Sequence, residues 1–274
     1  MCVGRYPVPL LAVLRILGAL STDATGGLHP AWTDTEFIVV ATVRLPRVFV
    51  ATAAGFGLGL SGAALQGLFR NPLVGPQIVG ISNGAAWGGG LAILLALPSA
   101  GVVVCAFVFG LLAVAAVFGL TRLTQGGGVL SIVLAGVIVS AFFSALVGLA
   151  EFLADPERQL AGIVYWLLGS FAAASARSAL IVGIPTAVAG ALLILLRWRI
   201  NLLSLGDTDA AALGVPVQRL RWGVLLLVTV IVAAQVAVSG AIGWVGLVVP
   251  HLARRVVGAD HLRLLPASGG TRAS

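Results

Sequence analysis

The chain has 274 residues, of which 59% are hydrophobic and 9% charged, whereas soluble domains carry about 25% charged residues. This composition excludes a water-soluble globular domain, an intrinsically disordered chain and a collagen-like fibre. The formal net charge of +7 is the balance of 16 basic residues, all of them arginine, against nine acidic residues. The lack of lysine excludes a P-loop nucleotide site, and the scattering of the arginines argues against nucleic-acid binding.

The first apolar stretch, Val8 to Leu20, holds about 13 residues with Arg15 in its middle, so it is too short to span a bilayer. We expect it to form an interfacial helix. A secretory signal peptide is the alternative, but Arg15 interrupts its apolar region and no A-x-A-like cleavage site follows.

Later stretches are long enough to span, because a membrane helix needs about 17–25 mostly apolar residues. We predict six spans and a short seventh one. These are residues 48–69, 78–97, 101–121, 129–150, 179–196 and 223–241, with the short one at 243–256. Glycines at close spacing in the first two spans predict that both are central in the bundle.

Arginine bias predicts the orientation of the spans. Their alternation places most arginines of the connecting segments on one side, which we predict to be cytoplasmic. These are Arg70, Arg122, Arg197, Arg199, Arg219, Arg221, Arg254, Arg255 and Arg263. Arg44 and Arg47 fall on the external side, together with Arg158, Arg177 and most of the acidic residues.

Two prolines, Pro72 and Pro76, interrupt helical structure between the first two spans. Irregular backbone at membrane depth survives only where it is buried in protein or lines a cavity. Asn71 and Asn83 are therefore candidates to line a passage, although Asn71 fits an ordinary capped turn equally well.

The external stretch 151–177 contains a predicted short helix at 163–171, with Tyr165 and Trp166 suited to the membrane interface. This helix is either a plain interfacial anchor or a docking surface or lid at an external opening.

A third polar segment, 201–221, separates two spans. Ser204 and Asp207 resemble a capping box, Gly214 suits the end of a helix, and Pro216 suits the start of another. We predict two short cytoplasmic helices that form a socket for a partner protein, with a simple connecting loop as the alternative.

The two cysteines and three histidines lack the spacing of metal sites, so we expect neither a metal nor a cofactor.

Five motifs in one order resemble the FecCD-type permeases of ABC importers for iron siderophores, haem and cobalamin. The motifs are Arg44-Leu-Pro-Arg47, Gly62-Ala-Ala-Leu-Gln66 before Asn71-Pro-Leu73, Gly80-Ile-Ser-Asn-Gly84, Leu205-Gly-Asp207 with Ala212-Leu-Gly214, and Ser239 to His251. The resemblance covers about residues 4 to 268.

The resemblance implies an all-α, polytopic transmembrane bundle of the type II ABC importer permease kind, multi-pass in the bacterial inner membrane. Such a permease is not an enzyme. It pairs as a homodimer or a heterodimer, is driven by two cytoplasmic ATPase subunits, and receives its ligand from an extracytoplasmic binding protein. Ferric siderophore is the expected cargo, with haem and cobalamin as alternatives.

The resemblance also implies roles for individual residues. Arg44 and Arg47 would dock the binding protein. The cytoplasmic gate would comprise Asn71, Pro72, Leu73, Leu130 and Ser131. Residues that couple to the ATPase would be Ser204, Leu205, Gly206, Asp207, Asp209, Leu213, Gly214 and Arg219.

Members of the family have ten spanning helices, with one before the position of Gly4 and two after that of Pro266. Apolar length identifies about seven of these ten helices in this chain. We therefore expect a chain truncated at both ends, and a non-functional remnant is one alternative. The expected parts are an external interfacial segment (1–43), spans one to five (44–200), cytoplasmic coupling helices (201–222), the last spans (223–256) and a tail (257–274).

A secondary transporter is the rival from another class. It predicts ionisable residues inside the spans and an inverted repeat, and the sequence presents neither clearly.

Overall fold

The computed structural model describes residues 6–22, 32–123, 128–242, 244–258, 264–265 and 267–268. Within this part of the chain every regular element is helical, which confirms the predicted all-α fold. The α-helices are α1 (Leu10–Thr22), α2 (Asp34–Phe37), α3 (Leu45–Phe69), α4 (Ile81–Leu94), α5 (Ser99–Leu123), α6 (Val129–Leu153), α7 (Leu160–Leu168), α8 (Ala176–Leu195), α9 (Arg197–Leu203), α10 (Asp207–Ala212), α11 (Val217–Ser239) and α12 (Val245–Val257). A π-helical segment, Ile38–Arg44, joins α2 to α3, and a 3-10 helix, Pro76–Val79, precedes α4.

Among the described helices, five are long and apolar enough to cross a membrane. They are the continuous helix Asp34–Phe69 and the helices α5, α6, α8 and α11. Five predicted spans correspond to these helices, although the first helix begins at Asp34, 14 residues before the predicted span 48–69. The short seventh stretch corresponds to α12. Most of the predicted tail, namely residues 259–263, 266 and 269–274, lies outside the described part of the chain.

The predicted second span, 78–97, is wrong in its extent. α4 has 14 residues and a length of about 21 Å, less than a hydrocarbon core of about 30 Å. Helix α4 begins only at Ile81, because Pro76 opens a short 3-10 helix and Gly80 has a φ of 82°, in the left-handed region. The segment 71–80 instead packs beside α6, where a Cβ at Gly136 would overlap the carbonyl of Ile78.

The predicted helix at 8–20 is confirmed as α1. Its buried face, including Val13 and Ile16, packs on Val40 of the π-helical segment and forms a small core separate from the main one. Leu10 and Leu14 are exposed on the opposite face. The exposed face of α1 therefore combines apolar side chains with the exposed Arg15, which suits a helix at the membrane interface.

Helices α3 and α11 lie at the centre of the bundle. In their most apolar stretches 61% and 67% of the residues are buried, against 28% in α5, α6 and α8. Glycine permits close contacts: a Cβ at Gly62 of α3 would overlap the carbonyl of Gly246 in α12. Such backbone proximity is the main way in which membrane helices associate. The predicted central position of the first span is confirmed, and α4 is also largely buried.

Two contacts define the ends of the bundle. Where α3 begins, Arg47 contacts Ala172 in the loop after α7, and we call this the Arg47 end. Where α3 finishes, Arg70 lies 4.0 Å from Asp207 at the start of α10, and we call this the Arg70 end. The Arg70 end therefore carries the segment that connects α8 to α11.

The predicted pair of short helices at 201–221 is partly wrong. Ser204 does not cap α10: its hydroxyl donates to the carbonyl of Asn201 at 2.6 Å, and the residue at the cap is Gly206. Pro216 precedes the long helix α11 instead of a second short helix. Gly214 follows α10 with a φ of 80°, as predicted. The predicted external helix at 163–171 exists as α7, which begins three residues earlier.

Candidate functional site

The predicted docking arginines lie at the Arg47 end, where the π-helical segment joins α3. Arg44 donates from Nη2 to the carbonyl of Tyr6, just before α1. Arg47 is exposed and donates from Nη2 to the carbonyl of Ala172 over 2.8 Å. A guanidinium carries five N–H donors, so this bond leaves Arg47 able to bind a carboxylate. Residues three apart on a helix share a face, which places both arginines on one surface.

The segment from Asn71 to Leu73 is a tight turn directly after α3. The Oδ1 of Asn71 accepts a hydrogen bond from the N–H of Leu73 over 2.9 Å, and the N–H of Asn71 donates to the carbonyl of Gln66 over 3.2 Å. This is the geometry of a capped turn, one of the two alternatives for Asn71. Pro72 is exposed, and the Leu73 side chain is 70% exposed and projects from the turn.

Asn83 joins α4 to α6 by two hydrogen bonds. Its Nδ2 donates to the carbonyl of Ser140 over 3.2 Å and to the hydroxyl of Ser144 over 3.1 Å. The Ser140 hydroxyl in turn donates to the carbonyl of Gln77, over 3.2 Å. Both amide hydrogens of Asn83 are therefore used in packing, and the side chain is half-buried. Ser140 and Ser144 are not among the predicted site residues, although they are four residues apart and hence on one helix face.

Leu130 and Ser131 lie in the first turn of α6. Because α6 runs parallel to α4, its first turn is at the Arg70 end, as is the turn that contains Leu73. Leu130 is 71% exposed and Ser131 is half-buried. The structure therefore brings the predicted gate residues to one end of the bundle, with two exposed leucines among them.

The predicted coupling residues also lie at the Arg70 end, between the end of α9 and the first turn of α11. The exposed ones form the outer surface of this segment. They are Leu205, Asp209, Leu213, Gly214 and Arg219, with Leu205 and Leu213 each 60% exposed. Ser204 and Asp207 are half-buried, and Gly206 is buried.

Asp207 forms an ion pair with an arginine that is not among the predicted site residues. Nη2 of Arg221, in α11, donates to Oδ1 and Oδ2 of Asp207 over 2.8 and 2.9 Å. The Arg221 side chain is only 1% exposed. A charged residue near the start of an apolar span is a signal that it has an ionic partner, and Asp207 is an acidic residue of the preceding connection. This pair fixes α10 to α11.

The structure contains a cavity of about 620 Å³ at the Arg47 end, bounded by α5, α7, α8 and α11. Trp166, Arg177 and Ser239 are among its lining residues. None of the predicted docking, gate or coupling residues lines it. Among the described residues, no group of three or more His, Cys, Asp or Glu side chains could hold a metal ion.

Residues 1–271 match the FecCD transport family. The molybdate import system permease protein MolB of Haemophilus influenzae is 42% identical over 97% of this chain and 77% of its own length. The "probable iron chelatin transport system permease protein" of Helicobacter pylori is 44% identical over 88% of this chain and 73% of its own. The hemin transport system permease protein HmuU of Yersinia pestis is 38% identical over 94% of this chain and 80% of its own.

Among solved structures, a chain of a metal-chelate type ABC transporter in an inward-facing conformation is similar to this one. The TM-score is 0.82 at 43% sequence identity, and the match covers 95% of this chain and 83% of that chain.

Proposed function

Since this chain belongs to the FecCD transport family and is the permease of an ABC importer, we propose that it moves a ferric siderophore or a related iron chelate inward. ATP hydrolysis belongs to a separate ATPase subunit, and the permease itself is not an enzyme. The observation that carries the proposal is the family match over residues 1–271, together with an iron chelatin permease among its relatives.

In the proposed orientation the Arg70 end faces the cytoplasm of a bacterium and the Arg47 end faces outward. The positive-inside bias supports this orientation, because arginines gather at the Arg70 end. The chain is an integral membrane protein, and we place it in the inner or plasma membrane.

The outer surface of α10 suits the ATPase contact. Leu205 and Leu213 are exposed there at 60% each, beside the exposed carboxylate of Asp209. Two exposed leucines with a charged neighbour provide an apolar centre and a polar rim, as in many protein interfaces. At the opposite end, Arg44 and Arg47 would receive carboxylates of the binding protein.

The proposed gate consists of the Asn71–Leu73 turn together with Leu130 and Ser131. One further feature supports a pathway beside α6 that is shared with a second permease, either a copy of this chain or a sibling. The apolar side chains of Leu134, Ile138 and Phe142 form one exposed stripe along α6, and the stripe continues from Leu130. A passage between two apolar stripes needs little specificity of its own if the binding protein selects the cargo.

Molybdate is the second candidate cargo, because MolB is 42% identical over 97% of this chain. Molybdate is a small oxyanion, whereas an iron siderophore is a much larger chelate. Haem and cobalamin remain alternatives, since relatives that carry those names share 38% identity with this chain.

The test is uptake by the permease reconstituted with its cognate ATPase and binding protein. Radiolabelled ferric siderophore, haem, cobalamin and molybdate are offered separately at the same concentration. We expect ATP-dependent accumulation of the ferric siderophore. Accumulation of molybdate alone would contradict the iron proposal and support the second candidate.

A further inference from the structure

One carboxylate connects three parts of the chain at the Arg70 end. Asp207 opens α10, Arg221 lies in the second turn of α11, and Arg70 ends α3. Arg221 donates to both carboxylate oxygens of Asp207, over 2.8 and 2.9 Å. On the other side, Nη2 of Arg70 lies 4.0 Å from Oδ1 of Asp207. The segment that we assign to the ATPase contact is therefore joined by charge both to the central helix α11 and to the end of α3.

The two ion pairs differ in strength. The Arg221 side chain is 1% exposed, and breaking the ion pair of such a buried charge is strongly unfavourable. This pair therefore keeps Asp207 attached to the start of α11. The Arg70 side chain is 44% exposed and its pair is at the outer limit of contact, so water and salt weaken it and it can form and break readily.

Arg70 is also connected to the proposed gate through its backbone. It has a φ of 51°, in the left-handed region that non-glycine residues rarely adopt, and it directly precedes Asn71. Its Nη1 lies 3.5 Å from the place where a Cβ on Gly206 would be. The Arg70 side chain thus covers the backbone at the start of α10, while its main chain sets where the Asn71–Leu73 turn begins.

We propose that Arg70 is a positioning residue that transmits movement of α10 to the Asn71–Leu73 turn through its ion pair with Asp207, while Arg221 keeps Asp207 fixed to α11. The inference rests on the proposed function of α10 as the ATPase contact and of the turn as part of the gate. A shift of about 1 Å toward α3 by α10, together with the start of α11 to which Arg221 attaches it, would bring the 4.0 Å pair into direct hydrogen-bond distance.

The first test measures movement of the gate and needs no transported substrate. Leu73→Cys is introduced after Cys2 and Cys105 are replaced by serine, and its labelling rate with a water-soluble maleimide is measured in the assembled complex with and without a non-hydrolysable ATP analogue. We expect the analogue to change the rate by about threefold, the scale of one exposed ion pair. With Arg70→Gln the change should disappear, and with Arg70→Lys, which keeps the charge, it should return.

The matched control is Arg197→Gln, which removes another exposed arginine at the same end and should leave the response intact. An equal response in Arg70→Gln, an equal loss in Arg70→Gln and Arg70→Lys, or no response in the unaltered complex would each overturn the proposal. Size-exclusion chromatography of each variant confirms that the complex is assembled.

The second test compares ATP hydrolysis with uptake. Arg70→Gln should leave the hydrolysis rate near that of the unaltered complex and lower uptake about threefold, so that more ATP is used per substrate. A parallel fall in both rates indicates a merely structural role and overturns the proposal. Failure of the unaltered complex to import any offered substrate would instead refute the proposed function, and the labelling test would still decide the role of Arg70.

Discussion

The contact between α4 and α5 makes Gly84 a sensitive position. A Cβ added there would lie 2.6 Å from the carbonyl oxygen of Phe109 and 2.7 Å from the Cβ of Ala113. Carbon atoms prefer to be about 3.5–4.0 Å apart, so Gly84→Ala must separate the two helices locally by about 0.8 Å. Overpacking of this kind costs about 1–3 kcal/mol, which exceeds the gain of about 0.5–1 kcal/mol from replacing glycine within a helix.

The control is Gly119→Ala in α5, where the added Cβ would have no neighbour within 4 Å. Both variants gain the same helix propensity, so the difference between their unfolding midpoints in detergent isolates the packing term. We expect Gly84→Ala to unfold at a lower temperature than the unaltered protein and Gly119→Ala to unfold at the same or a higher one. A midpoint for Gly84→Ala equal to that of Gly119→Ala would refute the close packing of α4 on α5.

Three further predictions concern other contacts. Asn83→Leu removes two bonds between α4 and α6 and should destabilise the bundle by about 0.5–2 kcal/mol, more than Ser144→Ala, which removes one; equal unfolding midpoints in detergent would contradict this. Thr33→Ala removes a reciprocal capping box with Glu36 and should destabilise the first turn by about 0.5–2 kcal/mol, seen as faster hydrogen exchange at 34–37; unchanged exchange there would show that the cap is dispensable. Arg47→Gln should slow association of the binding protein more than Arg158→Gln, an exposed arginine at the same end; equal association rates would remove Arg47 from the docking surface.

Hydropathy alone located the long helices, because a bilayer imposes a minimum apolar length that few other structures require. Glycine spacing also indicated that α3 is central, since small residues mark close helix contacts. The ends of the elements were predicted less well. The capping box of Thr33 and Glu36 marks the start of the first long helix, 14 residues before the predicted span 48–69.

The errors arose where local signals compete with packing. The stretch 78–97 is apolar throughout, and hydropathy cannot register that Gly80 takes a left-handed conformation at the start of α4. Ser204 and Asp207 have the spacing of a capping box, but Gly206 caps α10 and Asp207 bonds Arg221 instead. The ion pair spans 14 positions in the chain, which no local pattern reveals.

The most direct test of the account measures what energy source drives uptake. The permease, its ATPase and its binding protein are reconstituted into proteoliposomes with the Arg70 end inward, and ferric siderophore is supplied outside. The account predicts accumulation only when ATP is inside and the binding protein is outside. Accumulation driven by an ion gradient without ATP would contradict it and indicate a secondary transporter.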